Sequence, residues 1–163
     1  MYVNFIEKVE AAFAKVPYPG DNNIVEDSSG IDIESNEIAA AFQGRHWRTI
    51  PFGILQKYVA AVSFFTIPAF RYYLPAYIIA SINKFYETSD IPVNAIYSFI
   101  PPRHDTARCD FYQRRLNAFS VDELEVIKEF LLIMRDQHAE DFPDDTPAQA
   151  LKFVSAMTIN KAR

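Results

Sequence analysis

Apolar residues recur at steps of three and four where the chain begins. Tyr2, Phe5, Ile6, Val9, Phe13 and Val16 share this spacing, and Glu7, Lys8, Glu10 and Lys15 fall between them. A period near 3.6 predicts an amphipathic helix, stopped at Pro17-Tyr-Pro-Gly20, where two prolines and a glycine cannot continue it. Residues 21–34 are polar and acidic and predict a loop, with a short extended run at Gly30-Ile-Asp-Ile-Glu34. Ser35 is placed to cap a helix through Phe42, with Gly44 just past its end. Arg45-His-Trp-Arg48 reads as a compact linker. Thr49-Ile-Pro51 then opens a helix whose apolar face is Ile54, Leu55, Tyr58, Val59 and Val62.

The most apolar stretch runs from Tyr58 to Ile82, where Arg71 is the lone charge. In a spanning helix that arginine would sit near mid-bilayer at about 2.5 kcal/mol or more, and Pro68 and Pro75 would interrupt the backbone bonding. Two core helices are predicted instead, the second starting at Thr66-Ile-Pro68 and kinked or broken near Arg71–Leu74 by Pro75. Residues 88–104, with Pro92, Pro101 and Pro102, read as an irregular segment. Within it Val93–Ile100 has the composition of a strand but no second strand to pair with. A short helix is predicted over 105–118. Ser120-Val-Asp-Glu123 is a capping-box start for a long helix inward at Leu124, Ile127, Leu131, Met134 and His138. Phe142-Pro143 ends it, and Thr146-Pro147 caps a last helix facing inward at Ala150, Leu151, Val154 and Met157.

These elements predict one all-α domain of six or seven helices spanning residues 1–163. Composition agrees: half of the residues are apolar, and 14 Phe, 9 Tyr and 1 Trp supply a large core. The four glycines cannot be arranged into either glycine-rich phosphate loop, which excludes those nucleotide-binding classes. One cysteine, Cys109, forms no internal disulfide and no Cys-rich zinc site, and with no signal-like N-terminus it points to the cytoplasm. No metal and no cofactor is expected.

Charge is segregated along the chain. Residues 1–44 hold 8 acids and 2 bases, residues 45–119 hold 9 bases and 4 acids, and residues 120–163 hold 9 acids and 5 bases. The bland reading is mutual neutralisation of basic middle and acidic flanks. The sharper one is an acidic interface built from Asp21, Glu26, Asp27, Asp32 and Glu34 or from Glu140, Asp141, Asp144 and Asp145, steering a basic partner. The net charge of −5 speaks against nucleic acid or anionic membrane as the partner.

Other residue types invite chemistry. Arg45, Trp47 and Arg48 have the types for an anion contact, or else an ion pair beside a core indole. Arg71, among aromatic residues, is expected to be buried and paired, fixing the Pro75 break, with an anion contact as the alternative. His104, Asp105, Cys109 and Asp110 lack metal-site spacing and read as an ordinary loop histidine and cysteine. His138 suits the negative end of its helix.

Tyr18-Pro-Gly-Asp21, Phe42-Gln-Gly-Arg45-x-Trp47 and Phe65-Thr-x-Pro-Ala-Phe-Arg-Tyr-Tyr-Leu-Pro-Ala-Tyr77 resemble the motifs of a family of small, uncharacterised bacterial helical proteins. The resemblance spans roughly residues 13 to 135 and implies a bacterial cytoplasmic protein with shared packing; it implies no activity for any residue. Besides a scaffold whose helical faces dock a partner or its own copy, two functions remain from the residues themselves. One is an acidic binding protein that neutralises a bacterial toxin or effector, as an immunity protein does, by occluding its basic site. The other is a small enzyme on an anionic substrate, with Arg45, Arg48 or Arg71 as clamp and His46 or His104 as acid–base.

Overall fold

The computed structural model describes residues 2–87, 90–103 and 106–161. Among them are eight α-helices: α1 (Val3–Phe13), α2 (Ile33–Phe42), α3 (Phe52–Lys57), α4 (Ile67–Asn83), α5 (Asp90–Tyr97), α6 (Thr106–Asn117), α7 (Val121–Gln137) and α8 (Thr146–Lys161). Short 3-10 turns join several of them, and the described residues form no strand, only an isolated antiparallel bridge between Val25 and Phe65. The chain divides into two compact units, Lys15–Asn94 and Met1–Ala14 with Ala95–Arg163.

The unit of Lys15–Asn94 is organised on α4. Thr66 caps this helix, its Oγ1 accepting from the Ala69 amide at 3.2 Å and donating to the Asn23 carbonyl at 2.7 Å. The helix then runs unbroken to Asn83 with Pro75 inside it, so the expected break near Arg71–Leu74 does not form. Pro75 takes one amide bond away, but it lies buried in a run from Tyr72 to Ile78 that is buried throughout, and that packing holds the helix across it. Arg71 corrects a second expectation. It is half-buried rather than enclosed.

The core of this unit is aromatic. Phe42, at the end of α2, meets Phe65 and Tyr73 edge-on, each at 5.0 Å between centroids, and stacks on Tyr77 at 6.4 Å. The two deepest phenols are anchored to backbone: Tyr73 donates to the Phe42 carbonyl at 2.8 Å and Tyr77 to the Tyr58 carbonyl at 2.8 Å. The α2 cap is Asp32, whose Oδ2 accepts from the Ser35 amide at 2.8 Å, three residues before the expected cap. The helix therefore takes up Ile33 and Glu34 of the run expected to extend, Asp32 before them keeping extended dihedrals, and Ser35 is buried within the first turn. The helix predicted through Val62 ends at Lys57 and gives way to a 3-10 segment over Val59–Ser63.

In the other unit α7 packs against α8 and α1. The residues that the periodicity aligns in α1, Phe5, Val9 and Phe13, are buried, and Phe13 meets Phe119 edge-on at 6.3 Å. The capping box of α7 is complete: Ser120 Oγ accepts from the Glu123 amide at 3.2 Å and Glu123 Oε2 accepts from the Ser120 amide at 3.1 Å. Leu124, Ile127, Leu131 and Met134 are buried, and His138 stands at the C-cap. In α8 Ala150 and Val154 are buried, whereas Leu151 and Met157 are only half-buried and Thr158 is buried in addition, donating to the Val154 carbonyl at 2.9 Å.

The unit boundary falls within α5, which takes up residues 90–97 of the segment expected to be irregular over 88–104; residues 98–103 are turn and coil as expected. Pro92 lies in the first turn of this helix, where a missing amide costs no intrahelical bond. The strand-like composition of Val93–Ile100 yields to burial of Ala95, Ile96 and Phe99.

Candidate functional site

The three motif segments, far apart in sequence, converge inside the Lys15–Asn94 unit. Tyr18 donates its hydroxyl hydrogen to Asp21 Oδ1, and the Gly44 amide donates to the Tyr18 oxygen at 2.7 Å and to Asp21 Oδ1 at 3.2 Å. Gly44 takes a φ of 68° in the left-handed region, which lets its amide turn toward this pair. The Tyr18 ring meets Tyr72 edge-on at 5.4 Å, and the neighbouring Tyr73 hydroxyl reaches Phe42 O and Arg45 O. Burial, followed by the bond to Asp21, raises the Tyr18 pKa, and the Tyr18 hydroxyl holds the Asp21 carboxyl below its usual value. Burial likewise raises Tyr72.

The basic linker forms the next layer. Trp47 is buried, and the Arg48 guanidinium lies over its ring, 4.3 Å from the centroid. His46 stacks against Trp47 at 5.7 Å and meets Tyr72 at 5.9 Å. Its Nδ1 accepts from the Arg48 amide at 3.2 Å, so that lone pair is engaged and Nε2 alone is left for acid–base work. Arg45 is exposed, and its Nε donates to the Ala41 carbonyl at 2.7 Å at the end of α2. The arginine–tryptophan pair thus forms by stacking, and Arg45 serves a helix end. His104 and Asp105 lie outside the described residues; Cys109 Sγ donates to the Pro102 carbonyl at 3.3 Å.

The nine candidate acids are divided between the units. Asp21, Glu26, Asp27, Asp32 and Glu34 belong to Lys15–Asn94, and Glu140, Asp141, Asp144 and Asp145 to the other. In the first group Asp27 Oδ1 accepts from the Ser29 amide at 2.9 Å, Asp32 caps α2, and Glu26 and Glu34 are exposed. In the second, Asp141 Oδ2 lies 3.4 Å from His138 Nδ1, and Glu140, Asp144 and Asp145 are exposed. Asp144 and Asp145 adopt φ of 53° and 54°, a conformation that aspartate tolerates better than most side chains.

Two residues that the sequence reading passed over stand out beside the first group. Ile31 is 86% exposed and Ile33 is 74% exposed, on either side of the cap Asp32. Their signal was the alternation Ile-Asp-Ile-Glu, which suits an exposed turn as well as a strand.

An all-α protein with these motif segments knotted into one aromatic and hydrogen-bonded junction is the class that the fold and the site define. The chain belongs to a family of unknown function (DUF6714), whose model matches residues 1–153. No curated protein and no solved structure matches it. No helix among the described residues is long and apolar enough to cross a membrane.

Proposed function

We propose that this chain is an acidic binding protein that neutralises a bacterial toxin or effector, as an immunity protein does, by covering a basic site on it. One observation carries the reading: three of the central bases hold main-chain carbonyls or the face of an indole. Arg45 binds the Ala41 carbonyl, Arg48 lies on Trp47, and Arg115 binds the Ser98 carbonyl. The carboxylates meanwhile accept from nearby amides or stand exposed, which leaves negative charge to meet a partner. Such a field speeds encounter and selects a positive surface over others.

The test is growth rescue in a bacterial host. Effector domains encoded beside this gene are expressed with the chain or with its Glu26→Gln, Asp27→Asn, Glu34→Gln variant, and with a second variant carrying Glu140→Gln, Asp144→Asn and Asp145→Asn. The proposal expects the wild type to restore growth against one of them and at least one variant to fail while remaining folded. Rescue by none, or equal rescue by all three forms, overturns it.

A further inference from the structure

Ile31 and Ile33 are the feature that the fold leaves without a purpose. A lone exposed aliphatic residue is ordinary, but here two stand 86% and 74% exposed within three residues, and folding gains almost nothing from either. The turn carrying them is held in shape. The Ile24 carbonyl accepts from the Thr66 amide at 3.0 Å, and the Glu26 amide donates to the Phe64 carbonyl at 2.9 Å, which fixes its start to the α4 entry. Asn36 Nδ2 donates to the Gly30 carbonyl at 2.8 Å, and Ser29 Oγ accepts from the Ile31 amide at 3.2 Å. A surface already in its bound shape loses little entropy on association.

The charge around the pair decides what can cover it. Glu26, Asp27, Asp32, Glu34 and Glu37 surround the two isoleucines in sequence, and no lysine or arginine occurs between Lys15 and Arg45. A second copy of this turn would set like charges against like, and phosphate-bearing nucleic acid or lipid would meet the same repulsion. We infer that the turn presenting Ile31 and Ile33 is a docking surface for a lysine- or arginine-rich segment of another protein, whose own apolar side chains cover the two isoleucines. This rests on the acidic-binding reading and adds to it the place of contact and the make-up of the partner segment: bases for the carboxylates, and at least one aliphatic or aromatic residue for the isoleucines.

A random peptide library displayed on phage, selected against the full chain, tests the inference without the native partner. One selected peptide is then synthesised and titrated against wild type, against the I31S/I33S variant, and against E26Q/D27N/E34Q. The selected sequences are expected to combine Arg or Lys with aliphatic or aromatic residues. I31S/I33S is expected to weaken binding roughly thirtyfold or more, from the apolar area it removes, with an unchanged melting temperature because neither side chain is buried. E26Q/D27N/E34Q is expected to weaken it and flatten its salt dependence. No enrichment, a consensus without bases, or binding by I31S/I33S within threefold of wild type overturns the inference. So does a wild-type dimer in sedimentation that I31S/I33S disperses, since a second copy would then cover the turn. The two proposals fail separately: growth rescue without dependence on these isoleucines leaves neutralisation standing and removes the surface, and peptide binding without any rescue does the reverse.

Discussion

Raising the pH from 9.5 to 11 is expected to destabilise the Lys15–Asn94 unit by at least about 2.5 kcal/mol, the share of its two deepest phenols. Tyr73 and Tyr77 have no exposed surface, and burial, which disfavours the phenolate, pushes both above the ordinary phenol value; Tyr18, Tyr72 and Asp21 add to the effect at Tyr73. The unfolded chain releases these protons near pH 10, whereas the folded chain keeps them. The stability they contribute is therefore complete below about pH 10 and is lost as the pH climbs from there toward the folded values. Once the unfolded phenol is ionised, each contributes about 1.4 kcal/mol per pH unit, which integrates to about 1.25 kcal/mol apiece over this interval. In the other unit Tyr112 is raised in the same way by burial. With one such phenol, that unit is expected to lose about half as much. Urea unfolding at the two pH values measures both: fluorescence of Trp47, the one tryptophan, reports its own unit, and far-ultraviolet circular dichroism reports all the helices. Tyr77→Phe removes about half of the loss, at a pH-independent cost of about 1 kcal/mol for the bond to the Tyr58 carbonyl. A Trp47 transition that stays put or strengthens at pH 11 refutes the reasoning.

Two substitutions test local structure in the other unit. Ser120→Ala removes the hydroxyl half of the α7 capping box and is expected to cost about 1 kcal/mol in urea unfolding, with Ser120→Gly costing only a few tenths. Asp144→Gly relieves a side chain held at a φ of 53°, and a gain of about 0.5–1 kcal/mol, seen as a rise of a few degrees in melting temperature, is the expected outcome.

Local signals carried far into the fold, and their failures share a cause. The α1 period, the Ser120 box and the Thr66 cap are decided by a few neighbouring residues, and each is found in place. The misplaced elements are those where distant packing outvotes local preference. Pro75 would end a solvent-exposed helix, but burial of Tyr72 to Ile78 on both sides of it makes continuing α4 the better state. Val93–Ile100 has β-branched and aromatic residues that suit a strand, yet with no partner strand its amides find local acceptors, in a helix to Tyr97 and in turns at Phe99 and Ile100. At the start of α2, Asp32 and Ser35 are both good caps three residues apart. A helix begun at Asp32 buries Ser35 and lets Asn36 bind the Gly30 carbonyl, a gain visible only once the chain has turned.

The candidate site was legible in composition and not in arrangement. Segregated charge is plain in the sequence, and it suggests that the basic middle and the acidic flanks cancel. A guanidinium or ammonium can satisfy unspent carbonyls at a helix end, where it also meets the negative end of the helix dipole, without a long excursion to a flexible surface carboxylate. Arg45 at the end of α2 and Lys161 at the end of α6 follow this rule, and Arg48 finds the face of an indole instead. The carboxylates, being short, are in turn taken up by amides one to three residues away, as at Asp27 and Asp32. Each sign thus finds a backbone partner nearby, and hydrogen bonding to the main chain satisfies a carboxylate without cancelling its charge. That is how a chain with nearly as many bases as acids can keep a negative turn, with two uncovered isoleucines at its tip, facing outward.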